Sequence, residues 1–179
     1  MTAELIPVGK GEKEILRNLL EKYLYEFSQY DGGKVNSLGL FGYDYLDNYW
    51  TEENRWAFFI RADGELAGFV MVSNFPEAPG TKPDYSLGEF FVMYPYRRQG
   101  VGKAAAFAAF DRFRGKWQLK RHPGNTGSVA FWDRVVAEYT GGNFTLRKGL
   151  PGTEYGDGTP GDVFFFDNGN GGGRCEATT

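Results

Sequence analysis

Apolar positions along the chain change their period several times, and each change marks an element. Across residues 12–30, Ile15, Leu16, Leu19, Leu20, Tyr23, Leu24 and Phe27 recur at helical spacing. That pattern predicts an amphipathic helix, stopped by Asp31-Gly32-Gly33. Residues 3–8 predict a short strand ahead of it, and a shorter helix is expected at about 43–50. Residues 56–61 and 65–73 are β-rich runs joined through Asp63-Gly64, a hairpin signal. Pro76, Pro79 and Pro83 make residues 74–84 a loop. Residues 87–93 are apolar on both faces, as a central strand covered on both sides would be. An alanine-rich helix follows at 100–114, then a strand at 117–121, a helix at 125–138, and strands at 143–147 and 162–167.

The order β-α-α-β-β-β-α-β-α-β-β reads as one α/β domain with a mixed sheet, spanning residues 1–168. Residues 169–179, rich in glycine, are expected to be a disordered tail. A length of 179 residues fits one well-filled domain.

Composition removes several function classes. A formal charge of −3 argues against nucleic acid or anionic membrane as a partner, because both require a large basic surface. The single cysteine, Cys175, allows no internal disulfide, and with the single histidine, His122, it argues against a His/Cys zinc site. His122 lies in a turn-like run without a Gly-x-Ser-x-Gly elbow, and it reads as a polar loop residue. No apolar run approaches the roughly 18 residues of a membrane span, and no basic-then-apolar leader opens the chain. A cytoplasmic protein is expected.

The chemistry concentrates in Phe90-Phe-Val-Met-Tyr-Pro-Tyr-Arg-Arg-Gln-Gly-Val-Gly-Lys103. A buried strand runs into a tight turn, and two glycines open a helix. Arg97, Arg98 and Lys103 flank the turn with positive charge. Gly100 and Gly102 lack side chains, so amides at the helix start can close on an anion. This is how a phosphate cradle is built. It is not a nucleotide P-loop: the position for the first glycine holds Arg97, and the Ser/Thr position after the lysine holds Ala104. The dinucleotide fingerprint fails at its third glycine, where Ala105 stands.

Arg97-Arg-Gln-Gly-Val-Gly102 resembles Arg/Gln-x-x-Gly-x-Gly/Ala, the acyl-CoA signature of the GNAT superfamily of N-acetyltransferases. The preceding Phe-Phe-Val-Met-x-x-Tyr-Arg looks like that family's fourth strand, especially in its polyamine acetyltransferases. Asn125 followed by Ala130-Phe131-Trp132 resembles its second motif. The resemblance, to a bacterial-type acetyltransferase, implies a mostly antiparallel sheet splayed between strands four and five.

It also implies acetyl-CoA as co-substrate and an amine of a small molecule or peptide as acceptor, in a monomer or homodimer. Amides of Arg98, Gln99, Gly100, Val101, Gly102 and Lys103, with Arg97, would hold the pyrophosphate. The backbone of Phe91, Val92 and Met93 would pair with the pantetheine arm, and Asn125 would hydrogen-bond it. A protonated amine needs a base. Glu89, a carboxylate inside an apolar strand, is the first candidate, and Asp84, just before that strand, is the second. Pairing with an arginine is the competing reading of Glu89. The position where many members carry a tyrosine acid holds Trp132. Tyr94, Tyr96 or Tyr139 would substitute, or the thiol would leave unaided. The acceptor pocket would draw on the first two helices and their loop, with Tyr23, Tyr30, Tyr43, Tyr49, Glu26 and Asp31 among its residues. A non-catalytic acyl-CoA-binding or interaction module is the alternative.

Overall fold

The computed structural model describes residues 1–169. Helix α1 (Lys13–Asp31) forms where the helical spacing predicts it and buries Leu16, Leu19 and Leu20. It ends at Gly32, whose left-handed backbone, φ 74°, turns its N–H onto the carbonyl of Ser28. The helix expected at 43–50 shortens to one turn, α2 (Asn48–Thr51). The residues before it close successive i→i+3 turns, the amides of Leu46, Asn48 and Tyr49 donating to the carbonyls of Tyr43, Tyr45 and Leu46. So short a segment also lacks the length to nucleate a helix of its own.

Strands β1 (Ala3–Pro7), β2 (Arg55–Ala62), β3 (Glu65–Ser73) and β4 (Tyr85–Val92) pair antiparallel in sequence order. Helix α3 (Val101–Arg112) then crosses over, so β5 (Lys116–Arg121) lies parallel to β4. Helix α4 (Thr126–Thr140) leads to β6 (Thr145–Arg147), and β7 (Asp162–Asp167) inserts between β5 and β6. The result is a seven-stranded mixed sheet in which β4–β5 is the parallel pair.

Two details of β4 position the site. Its pairing with β5 stops at Leu87↔Leu119, although β4 runs on to Val92 and β5 to Arg121, so the strands part beyond Leu87. In the pairing with β3, Met71 faces Glu89 and Val72 faces Leu87, which leaves Gly88 as a bulge. A bulge shifts the alternation of side chains by one residue. Leu87 and Val92 therefore pack under α3 and α4, while Phe91 packs under α1. Glu89 falls on the α1 face, just past the bulge and level with the gap.

The sheet has a core on each side. One joins β2–β5 and β7 to Val101, Ala105, Ala109 and Phe110 of α3 and Val135 and Val136 of α4. The other joins Phe59, Phe69, Met71 and Phe91 to Leu16, Leu19 and Leu20 of α1. No helix among the described residues is long and apolar enough to cross a membrane. The expected tail lies, beyond Gly169, outside the described residues, as does Cys175.

Candidate active site

Beyond β4, Tyr94–Tyr96 make one 3-10 turn, and the chain reverses through two left-handed residues, Arg98 at φ 61° and Gly100 at φ 83°. Gly100 is the residue before α3, and no side chain caps the helix. The first helical bond is made by the N–H of Ala104, to the carbonyl of Gly100. The N–H groups of Val101, Gly102 and Lys103 therefore lead the helix without intrahelical acceptors. No acidic residue stands in this first turn, so amides and helix dipole together favour an anion. Gly102 has a second reason to be glycine: a Cβ there would lie 3.1 Å from the ring of Phe131 on α4.

Most of the motif's charged and polar side chains hold the protein together. Arg97 forms a two-pronged ion pair with Glu26 of α1, both contacts at 2.8 Å, and its Nε donates to the carbonyl of Val92 at 2.6 Å. Its guanidinium also lies over the Tyr94 ring, 4.2 Å from the centroid. Gln99 donates to the carbonyl of Pro95, and Lys103 pairs with Glu138 at 2.7 Å. Arg98 is exposed, and among the described residues it has no such partner. The positive charge read around the turn thus reduces to Arg98 and the helix amides.

The open edge of β4 is also partly engaged. The N–H of Met93 donates to Ala67 on β3, and Phe91 pairs with Phe69. Alternation in an antiparallel ladder turns the N–H and C=O of Phe90 and Val92 the other way, toward the gap. Arg97 takes the Val92 carbonyl, which leaves the Val92 N–H and both groups of Phe90 facing the gap. Of Phe91, Val92 and Met93, only Val92 presents backbone there.

On the far side of the gap, Asn125 caps α4: its Oδ1 accepts from the N–H of Ser128 at 3.1 Å. A ligand is therefore left its Nδ2. Trp132 is buried against Phe90 and Phe131. Tyr139 is a core residue, its hydroxyl bound between Asp111 and Asn168. Tyr94 is exposed, and Tyr96 packs against the core under α3 and α4.

Glu89 stands on the other face. The Tyr43 hydroxyl donates to its Oε1 at 3.2 Å, and the Tyr23 hydroxyl faces the same carboxylate. Burial raises its pKa above the ordinary 4.5; the two tyrosine hydroxyls and the charge of Lys120 oppose that rise. The residue as a whole is half-buried, but its carboxylate is deep enough for desolvation to dominate. Tyr23 and Tyr43 are raised in turn, by burial first and then by Glu89, and Tyr49 is pushed up to about 12. No arginine pairs with Glu89 among the described residues.

Asp84 is not brought to this place. It lies at the opposite, closed end of the β4–β5 pair, where its carboxylate accepts from the N–H of Lys116 at 2.8 Å. Conversely, residues the sequence reading left aside gather beside Glu89. Glu77, on the β3–β4 loop, is held at about 7 by burial, with the Glu89 charge adding and Lys120 opposing. Lys120 of β5 lies 3.9 Å from Glu77 and 4.4 Å from the centre of the Tyr155 ring. His122 lies in the loop after β5, as expected, but it is buried. Its Nδ1 accepts from the N–H of Gly124, so its Nε2 carries the proton toward Asp157 at 3.2 Å. The ring packs 4.9 Å from Tyr155 and 6.1 Å from Phe27 of α1. It thereby ties the β6–β7 loop to the end of β5. The one available sequence signal was alternation along β5, which puts Lys120 and His122 on a common face.

A model of the acetyltransferase (GNAT) family matches residues 16–136. No curated protein matches the chain in sequence. Among solved structures, an acetyltransferase from Thermus thermophilus aligns with TM-score 0.62 at 18% identity, over 93% of this chain and 97% of that one. RimL, a ribosomal L7/L12 alpha-N-protein acetyltransferase in complex with coenzyme A, aligns with TM-score 0.65 at 15% identity, over 94% and 96%. Spermidine N-acetyltransferase from Vibrio cholerae, in complex with CoA and spermine, gives 0.62 at 14%, over 93% and 95%. At these identities the structures speak for the fold alone. The family model spans most of the first helix, the parting of β4 from β5, the glycine turn and most of α4, and with it this chain belongs to the GNAT acetyltransferase family.

Proposed function

We propose that the chain transfers an acetyl group from acetyl-CoA to the amine of a small molecule or peptide, by direct attack in a ternary complex. The observation that carries this reading is a juxtaposition around one strand. Unpaired helix amides stand just beyond the end of β4, a desolvated carboxylate stands on its α1 face, and the gap left by β5 lies beside both. The residues fit the co-substrate: the amides of Val101, Gly102 and Lys103 and the side chain of Arg98 would hold its pyrophosphate. The gap-facing groups of Phe90 and the Nδ2 of Asn125 would hold its arm. When bound, it supplies an activated acyl carbon on a sulfur leaving group.

The chain's own residues supply the rest. Glu89 takes the proton of the incoming ammonium, since a pKa raised by burial brings a carboxylate closer to neutral pH. The freed nitrogen attacks the acyl carbon, the C–S bond breaks, and the nitrogen's surplus proton passes to the departing sulfur, giving the amide and the free thiol. The Val92 N–H is the donor nearest in kind to an oxyanion hole. The sulfur leaves with a pKa of about 8.5, so departure without a side-chain acid is tolerable. Aromatic rings and carboxylates on the α1 face suit a cationic amine.

The test is acetyl-CoA consumption across polyamines, amino acids, aminoglycosides and peptide N-termini. Turnover should saturate with at least one class, and Glu89→Gln should lower kcat by about 10²-fold or more while acetyl-CoA still binds. Saturable acetyl-CoA binding without turnover on any amine would overturn the reading in favour of a non-catalytic module.

A further inference from the structure

We infer that Glu21 of α1 is a positioning residue for the base, clamping the loop that delivers the Tyr43 hydroxyl to Glu89. Its Oε2 accepts the N–H of Phe41 and its Oε1 the N–H of Gly42, each at 2.8 Å. The residue after this pair of amides is Tyr43, whose hydroxyl donates to Glu89 at 3.2 Å. Glu21 therefore acts through the backbone of the two residues before Tyr43.

The clamp matters because the rest of the loop is bonded largely to itself. Asn36 accepts from the N–H groups of Leu38 and Leu40, and Gly39 donates back to Asn36. Lys13–Asp47, at 2.6 Å, ties the far end, with the Asp47 side chain 68% exposed. Six groups face Glu89: Tyr23 from α1, Tyr43 from the loop, Tyr49 from α2, Glu77 from the β3–β4 loop, Lys120 from β5 and Tyr155 from the β6–β7 loop. Tyr43 is the one that follows the clamped amides. Its donor favours the charged form of Glu89, so releasing it makes the carboxylate hold its proton to higher pH.

This inference rests on Glu89 being the base, and the experiment separates the two. The dependence of kcat/KM on pH is measured for the intact chain and for Tyr43→Phe, Glu21→Ala, Glu21→Gln, Glu89→Gln and the Glu21→Ala/Tyr43→Phe double variant. Tyr43→Phe should move the acid limb up by about one pH unit, and Glu21→Ala should move it in the same direction. The double variant should go no further than Tyr43→Phe alone. Glu21→Gln preserves shape and one acceptor, so it should fold and show a smaller shift. A uniform loss of rate with the limb unmoved in both Glu21 variants overturns the inference, as does full additivity in the double variant. If Glu89→Gln keeps the acid limb, the base assignment itself fails. If Glu89→Gln removes the limb while the Glu21 variants leave it in place, only the role of Glu21 fails.

Discussion

The two halves of the candidate site are built in different ways. The half beyond the end of β4 is made of backbone: left-handed turns at Arg98 and Gly100, three leading amides of α3, and gap-facing groups of Phe90 and Val92. The half on the α1 face is made of side chains: Glu89, Tyr23, Tyr43, Glu77 and Lys120, each from a different element or loop. A backbone site would recognise a feature common to every acyl-CoA, its pyrophosphate, and would tolerate change in most neighbouring side chains. A side-chain site sets charge, shape and protonation, which is where acceptors differ. Arg97 joins the halves, reaching from the motif to Glu26 of α1 and to the Val92 carbonyl.

The sharpest break in this comparison is Gly100→Val. A β-branched residue at φ 83° is strained by about 1–3 kcal/mol, so the KM for acetyl-CoA should rise roughly tenfold to a hundredfold. The KM for the amine should change little, and equal rises in both would contradict the division.

Glu77 comes next and concerns stability. Its pKa in the fold, about 7, lies above the ordinary 4.5, so the folded state binds more protons between those values. Stability is then full below about 4.5, falls as pH rises toward about 7, and is level above. Glu77→Gln should flatten that fall, gaining on the order of 2–3 kcal/mol over the parent at pH 8 relative to pH 4.5. Thermal melts across pH read it directly; parallel curves would place Glu77 in water.

Gly102→Ala is subtler, because its new methyl would crowd Phe131 at 3.1 Å. A loss of about 1 kcal/mol is expected, recovered when Phe131 is also replaced by Leu. No recovery would mean that the methyl acts on the cradle rather than on α4.

The smallest effect belongs to Asp84→Ala. The carboxylate is exposed and bonded to the Lys116 amide, so kcat should be unchanged and stability lower by under about 1 kcal/mol. A fall in kcat matching that of Glu89→Gln would return Asp84 to the mechanism.

Legibility followed the same division. The strands, α1, α3 and α4 emerged from periodicity because each buries a regular stripe, and the exception is instructive. Leu46 and Tyr49 are buried as their apolar character suggests, yet the segment closes i→i+3 turns and keeps only one helical turn. The glycine turn was readable because left-handed backbone and an uncapped helix start impose residue types at neighbouring positions. Glu89 was readable because a carboxylate stood inside an apolar strand. Its orientation was not, since the bulge at Gly88 decides which face it takes.

The sequence alone therefore determined the element order, the glycine turn before α3 and the presence of one misplaced carboxylate, all carried by local periods and local backbone demands. Only the tertiary structure decided which charges remain available. Arg97 is engaged by Glu26, 71 positions away, and Lys103 by Glu138, 35 positions away. It also gathered Tyr23, Tyr43, Glu77 and Lys120 around Glu89. Such pairings depend on which faces the sheet and helices bring together, and no spacing along the chain encodes them.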